Sequence, residues 1–198
     1  MITGSTQRQT CSWDDLADAH RRARRDDVQG GGTPPHEPVV AVLTCADARI
    51  SPARSFDLPA GSIFVVRVAG ATATAEAVAS LAYAVEELGV ATVVVLGHTE
   101  CGAVTAALQD IDAPAIEPLL APIRPVLTTD CSDVVCAVPA HVVATVAALA
   151  ADPGPLGAAI RSGRVAAHGA VIDITDGSLT RLPSEPPPTP TPDHEEPS

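Results

Sequence analysis

Val39-Val40-Ala41-Val42-Leu43-Thr44 and Thr92-Val93-Val94-Val95-Leu96-Gly97 are two short, largely β-branched apolar runs, each ending on a cluster of reactive side chains. The first leads into Cys45-Ala46-Asp47-Ala48-Arg49, the second into His98-Thr99-Glu100-Cys101. Runs of this length with no polar residue alternating read as strands buried on both faces, as in a parallel sheet. Ser62 to Val68 and Val165 to Ile174 are two further runs of the same kind. Ser178 to Leu182 follows Asp176-Gly177, a turn dipeptide that makes it the hairpin partner of the preceding strand.

Helical stretches lie between these strands. Thr74 to Leu88 is rich in small and apolar residues and stops at Gly89. A helix opens near Glu100, and Pro139 to Ala151 reads as another. Pro114, Pro118, Pro122 and Pro125 break the chain before it into short turns. Strands alternating with helices imply an α/β fold, a mostly parallel central sheet flanked by helices with a C-terminal hairpin strand. We expect one domain over 1–182, with residues 12–28 as a polar N-terminal helical arm capped by Ser12. Seven of the sixteen residues in 183–198 are Pro and four are acidic, a composition expected to be disordered.

The formal net charge is −12, and all twelve basic residues are Arg. Such a balance opposes binding to nucleic acid, whose phosphates would repel it. Met1 to Gln9 lacks the apolar stretch of a secretory leader, and no run reads as the roughly 18 apolar residues of a membrane span. The expectation is a cytoplasmic protein with no membrane partner. Five cysteines are too few and scattered for a disulfide framework, and a reducing compartment would keep them as thiols. Cys11, Cys131 and Cys136 are accordingly expected to be structural.

The chemistry lies at the two strand ends. Thiolate sulfur with imidazole is the donor set zinc prefers, and three protein donors leave a fourth position open for reaction. In an extended segment Cys45, Asp47 and Arg49 would project to one side. Cys101 would lie in the first turn of a helix, where the dipole favours its thiolate. Parallel sheets form sites outside the carboxyl ends of their strands, where both segments fall, so one metal ion could join them.

Cys45-Ala46-Asp47-Ala48-Arg49 resembles the Cys-x-Asp-x-Arg signature of the β-class carbonic anhydrases, and His98-Thr99-Glu100-Cys101-Gly102 resembles their His-x-x-Cys-Gly. The likeness runs from about residue 36 to 110 and resumes at Val165 to Leu182. It implies Cys45, His98 and Cys101 as the ligands of one Zn²⁺ per chain. It implies Asp47 and Arg49 as a catalytic dyad, in which Arg holds Asp off the metal, or Asp binds as fourth ligand in a closed state. The implied activity is reversible hydration of CO2 to bicarbonate by zinc-bound hydroxide, in a homodimer or homotetramer with sites at the dimer interface. His36, Tyr83 and Gly102 match positions at which the family meets substrate or lines the cleft.

The chain departs from the family's pattern at several points. His36 stands where Gln is common, and Arg67-Val68-Ala69-Gly70-Ala71 replaces Arg-Asn-Ala-Gly-Asn, with the loss of two amides that brace the site or an interface. Val42 replaces the Trp of members inhibited by bicarbonate at a second site. Two alternatives stand beside CO2 hydration: hydrolysis of COS or CS2 on the same zinc site, which the resemblance implies because related enzymes of this fold carry it out, or, from the lost amides, an inactive zinc-binding relative with a binding or regulatory role. His20, His141, His168 and His194 match no motif.

Overall fold

A computed structural model describes residues 12–27, 33, 35–128 and 131–183. The acidic Pro-rich tail expected from residue 183 onward lies, from 184, outside the described residues, as does Cys11. The chain divides into two compact units, Met1–Pro34 and Pro35–Ser198. In the first, helix α1 (Trp13–Asp27) begins where sequence placed it. The Ser12 hydroxyl accepts the Asp15 N–H at 3.1 Å while the Asp15 carboxylate accepts the Ser12 N–H at 2.9 Å, a reciprocal capping box.

The second unit is built on five strands: β1 (Val40–Thr44), β2 (Ile63–Arg67), β3 (Thr92–His98), β4 (Ala166–Ile172) and β5 (Leu179–Arg181). Their order is β2-β1-β3-β4-β5, parallel throughout except for the antiparallel pair β4–β5. The chain moves to one side of β1 to lay down β2, then crosses to the other side for β3. The strand order thus reverses between β1 and β3, the position where open sheets leave a crevice at their carboxyl ends. Thr44 pairs with Leu96 in register, and its buried hydroxyl donates to the Leu96 carbonyl at 2.8 Å, which pins the two strand ends side by side.

The principal core lies on one face of the sheet, under α3 (Ala75–Glu86), α4 (Gly102–Leu108), α6 (Val134–Ala151) and α7 (Pro155–Arg161). The short helices α2 (Pro52–Ser55) and α5 (Glu117–Leu120) fill connections, the second in a stretch that sequence read only as turns. Covering of both sheet faces was expected, but the second face is less fully closed. There Val42, Leu96, Ala170 and Ile172 pack with Ile50 and Phe56, while Val40, Ile63 and Val94 remain partly accessible.

Helix α6 departs from the sequence reading in three ways. It starts at Val134, five residues before Pro139, because the Asp133 carboxylate accepts the Cys136 N–H at 2.8 Å and caps the first turn. Pro139 sits within the helix. The cysteines flanking the cap are not thiols: Cys131 and Cys136 form a disulfide, brought together by this turn with Cα atoms 5.4 Å apart. Finally, these 18 residues carry no charged side chain and a mean hydropathy of 2.1, enough by length and composition to cross a membrane. They serve instead as a core helix whose buried stripe, Ala137, Val138, His141, Val142, Thr145, Val146 and Leu149, packs toward β3 and β4.

Gly97 admits this helix. A Cβ placed on it would lie 2.5 Å from Val142 Cγ2, inside van der Waals contact. Gly97→Ala should therefore destabilise the fold by about 1–3 kcal/mol, the usual cost of overpacking a well-filled core. Urea unfolding checks this, and an unchanged midpoint would contradict the packing described.

Candidate metal centre

Cys45 is the first residue after β1, His98 the last of β3, and Cys101 the residue preceding α4. Cys45 Sγ, Cys101 Sγ and a ring nitrogen of His98 lie within 4.8 Å of one another, and all three residues are buried. The three donors named from sequence are thus brought to one point, at the crevice between β1 and β3.

The local hydrogen bonding prepares each donor for a cation. His98 Nδ1 meets the Thr99 carbonyl at 2.8 Å. A carbonyl only accepts, so Nδ1 carries the proton and Nε2 presents its lone pair. That Nε2 is buried with no hydrogen-bond partner. Burial works against charging the ring, but the neighbouring Cys45 sulfur and the Thr99 carbonyl outweigh it and raise its pKa. The Gly70 N–H donates to Cys45 Sγ at 3.3 Å. The two sulfurs oppose each other's titration: the neighbouring Cys101 draws the Cys45 pKa down, and Cys45, with burial, pushes that of Cys101 up. A divalent cation would relieve this by taking both as thiolates. An orphaned imidazole nitrogen beside two converging sulfurs fits zinc.

Asp47 and Arg49 form the adjoining pair. The segment does not stay extended as alternation predicted; it turns at Ala48 and Arg49, and the Ile50 N–H reaches the Asp47 carbonyl at 3.2 Å. The turn itself brings the pair together. Arg49 Nε donates to Asp47 Oδ1 at 2.9 Å, Nη2 to Oδ2 at 2.7 Å, and the Arg49 backbone N–H to Oδ1 at 2.9 Å. Held by this fork, the carboxyl titrates well below the usual carboxylate range. Asp47 Oδ2 stands 3.9 Å from His98 Nε2, so the carboxylate lies beside the donor cluster while its oxygens are engaged by Arg49.

Two supports come from the Arg67–Ala71 segment, whose match to the family's pattern did not itself say what they hold. Arg67, at the end of β2, donates to the carbonyls of Cys45 at 3.2 Å, Asp47 at 2.6 Å and Ile50 at 3.0 Å, and so staples the whole 45–50 loop. The turn Ala69–Ala71 carries the N–H that faces Cys45, with Gly70 at φ 76° and Ala71 at φ 56°. The left-handed region costs a residue with a Cβ roughly 1–2 kcal/mol, so Ala71 must be held there.

The remaining sequence candidates fall elsewhere. Gly102 opens α4, and a Cβ there would meet nothing within 4 Å, so space alone does not demand glycine. His36 and Tyr83 flank Phe64 in an aromatic row, with ring centroids 6.4 Å and 6.2 Å apart. Both His36 and Tyr83 are exposed, and neither lines the small cavity of about 10 Å³ beside the donors. His141, which matched no motif, does line that cavity.

Comparison with known proteins converges on this geometry. The carbonic anhydrase family profile matches residues 40–179, a span that contains all three donors. Carbonic anhydrase 2 of Mycobacterium tuberculosis is 41% identical over 86 residues, 43% of this chain and 42% of that protein. The carbonic anhydrase of Mycolicibacterium smegmatis is 41% identical over 80 residues, 40% of this chain and 39% of that protein. The match therefore spans about two fifths of the length of these curated relatives. Among solved structures, a Coccomyxa β-carbonic anhydrase in complex with acetazolamide superposes with a TM-score of 0.72 at 26% identity, covering 87% of each chain. A structure from a study of two tetrameric β-carbonic anhydrases of Sordaria macrospora gives 0.68 at 24% identity over 85% of this chain and 93% of that one, a likeness of fold. The profile match, covering more than half of the chain, together with this fold places the protein in the β-carbonic anhydrase family.

Proposed function

We propose that the protein is a zinc-dependent carbonic anhydrase, interconverting CO2 and bicarbonate with one Zn²⁺ per chain. The observation that carries this reading is the donor cluster: two sulfurs and an unpartnered imidazole nitrogen within 4.8 Å, with the nearby carboxylate occupied by Arg49. A structural zinc site closes with four protein donors, whereas three leave a position for water and substrate.

Cys45, His98 and Cys101 would hold the ion. When bound, it supplies the Lewis acidity that ionises water near neutral pH and so provides hydroxide for attack on the carbon of CO2. The chain's own residues set the rest. His98 keeps its proton on Nδ1, bonded to the Thr99 carbonyl, which leaves the Nε2 lone pair for the metal. Arg49 holds both oxygens of Asp47 and keeps the carboxylate from taking the open position. Because Arg49 depresses its pKa, Asp47 is a poor proton acceptor at neutral pH; it accepts a hydrogen bond from the nucleophile and orients it. The proton must leave to solvent.

We extend the reading to a homodimer or homotetramer. The partly open second face of the sheet, with Val40, Ile63 and Val94, and the exposed aromatic row at His36 and Tyr83 offer apolar surface for a second copy. The tetrameric state named for the Sordaria structures lends support by analogy of fold. Light scattering on the zinc-loaded protein should give a mass of two or four chains; the mass of one chain would overturn this part.

Stopped-flow measurement on protein of known zinc content tests the activity. CO2 hydration should accelerate as pH rises from 6 to 9, because two thiolates already neutralise the cation and leave its water a weaker acid. Full zinc occupancy with no hydration at pH 8.5 sinks the proposal, and a pH-independent rate sinks the account of the nucleophile. COS hydrolysis run alongside decides the substrate: a faster COS rate would reassign the enzyme. Cys45→Ser should lower zinc content to a small fraction of one per chain and abolish hydration, and elemental analysis showing full zinc would refute the donor set.

A further inference from the structure

We propose that His141 is a positioning residue of the metal centre: it clamps the Gly70–Ala71 peptide, and so aims the N–H that Gly70 gives to Cys45 Sγ. His141 lies on α6, 3% exposed, and its Nε2 meets the Gly70 carbonyl at 3.0 Å. Since that carbonyl accepts, the ring is protonated at Nε2, and its Nδ1 is buried without a partner. The ring also lines the cavity shared by Cys45, His98 and Cys101.

The clamp matters because of what it holds. The peptide joining Gly70 to Ala71 links two successive left-handed residues, and it is tied at both ends. Its N–H donates to the Val68 carbonyl at 2.8 Å, and its C=O accepts from His141. With the second tie removed, rotation of this peptide returns Ala71 to negative φ, the favoured region for a residue with a Cβ. Gly70 must then shift, and its N–H moves off the sulfur at 3.3 Å. Val68 and Ala71 offer no polar side chain to take over. Thr72 Oγ1 braces only the turn's start, donating to the Ala69 carbonyl at 3.2 Å. A histidine that merely filled space would need no donor at Nε2, and the orphaned Nδ1 would be a cost with no return.

The inference rests on the metal reading of Cys45, His98 and Cys101, not on the reaction catalysed. Two variants separate the roles: His141→Phe keeps the bulk and removes the donor, while His141→Gln keeps an N–H donor. Each is loaded with Co²⁺ to read the sulfur-to-metal charge-transfer band, and with Zn²⁺ to read release to a chelator. Loss of a hydrogen bond raises the energy of thiolate lone pairs, so His141→Phe should shift the band to longer wavelength and release zinc about tenfold faster. His141→Gln should recover both toward wild type. Wild-type behaviour of His141→Phe, or equal damage in His141→Gln, overturns the proposal.

If His141→Phe does not fold, imidazole nitrogen NMR on the zinc-loaded wild type decides with His141→Gln. Protonation at Nε2 together with near-normal release from His141→Gln supports the clamp, and protonation at Nδ1 overturns it. Failure to take up either metal overturns both this inference and the zinc reading. Normal metal binding without CO2 hydration removes only the proposed activity.

Discussion

Everything at the centre depends on the parallel pairing of β1 with β3. Cys45 and His98 are 53 positions apart in the chain, and only adjacency of two strand ends brings them within a metal's reach. The register Thr44 to Leu96, reinforced by the Thr44 hydroxyl on the Leu96 carbonyl, sets how far each donor extends past the sheet. A slip of one residue would turn every side chain to the opposite face and separate the donors. The continuous apolar character of both strands therefore works for the site as much as for the core.

Around this pairing the molecule arranges polar groups so that none competes for the metal position. The Thr99 carbonyl takes the His98 proton, Arg49 takes the Asp47 carboxylate, and Gly70 supports one sulfur from behind. Such outer contacts orient donors and tune their basicity, and they come from elements far apart in sequence. Helix α6 backs the Gly70 turn. Its close approach over Gly97 places His141 against the Gly70 turn, so packing of an apolar helix and orientation of a thiolate are one arrangement.

This division explains what could be read from the chain. Both donor segments were legible because each is short, chemically unusual and attached to a recognisable strand. The hairpin at Asp176-Gly177 and the helix opening at Trp13 carried equally local signals. Arg67 was legible as a motif position but not in its role, and His141 matched no motif, because their partners are backbone carbonyls 17 to 22 and 71 residues away. Pro139 misled the reading of α6, since proline suggests a helix start while Asp133 supplied a better cap upstream. The spacing of Cys131 and Cys136 looked unremarkable until the turn between them brought their Cα atoms to 5.4 Å.

Arg67 carries a consequence for how this protein can change. The shape of the 45–50 loop is set from a neighbouring strand, through the carbonyls of Cys45, Asp47 and Ile50, together with one contact of its own, the Asp47 carboxylate on the Arg49 N–H. Ala46 and Ala48, both exposed, contribute no polar side-chain group to that shape. The loop is thus open to variation at its own surface positions while its geometry is tied to a residue about twenty places downstream. Lysine could not inherit that task, because a compact ammonium on a flexible stem cannot span three carbonyls as a planar guanidinium does.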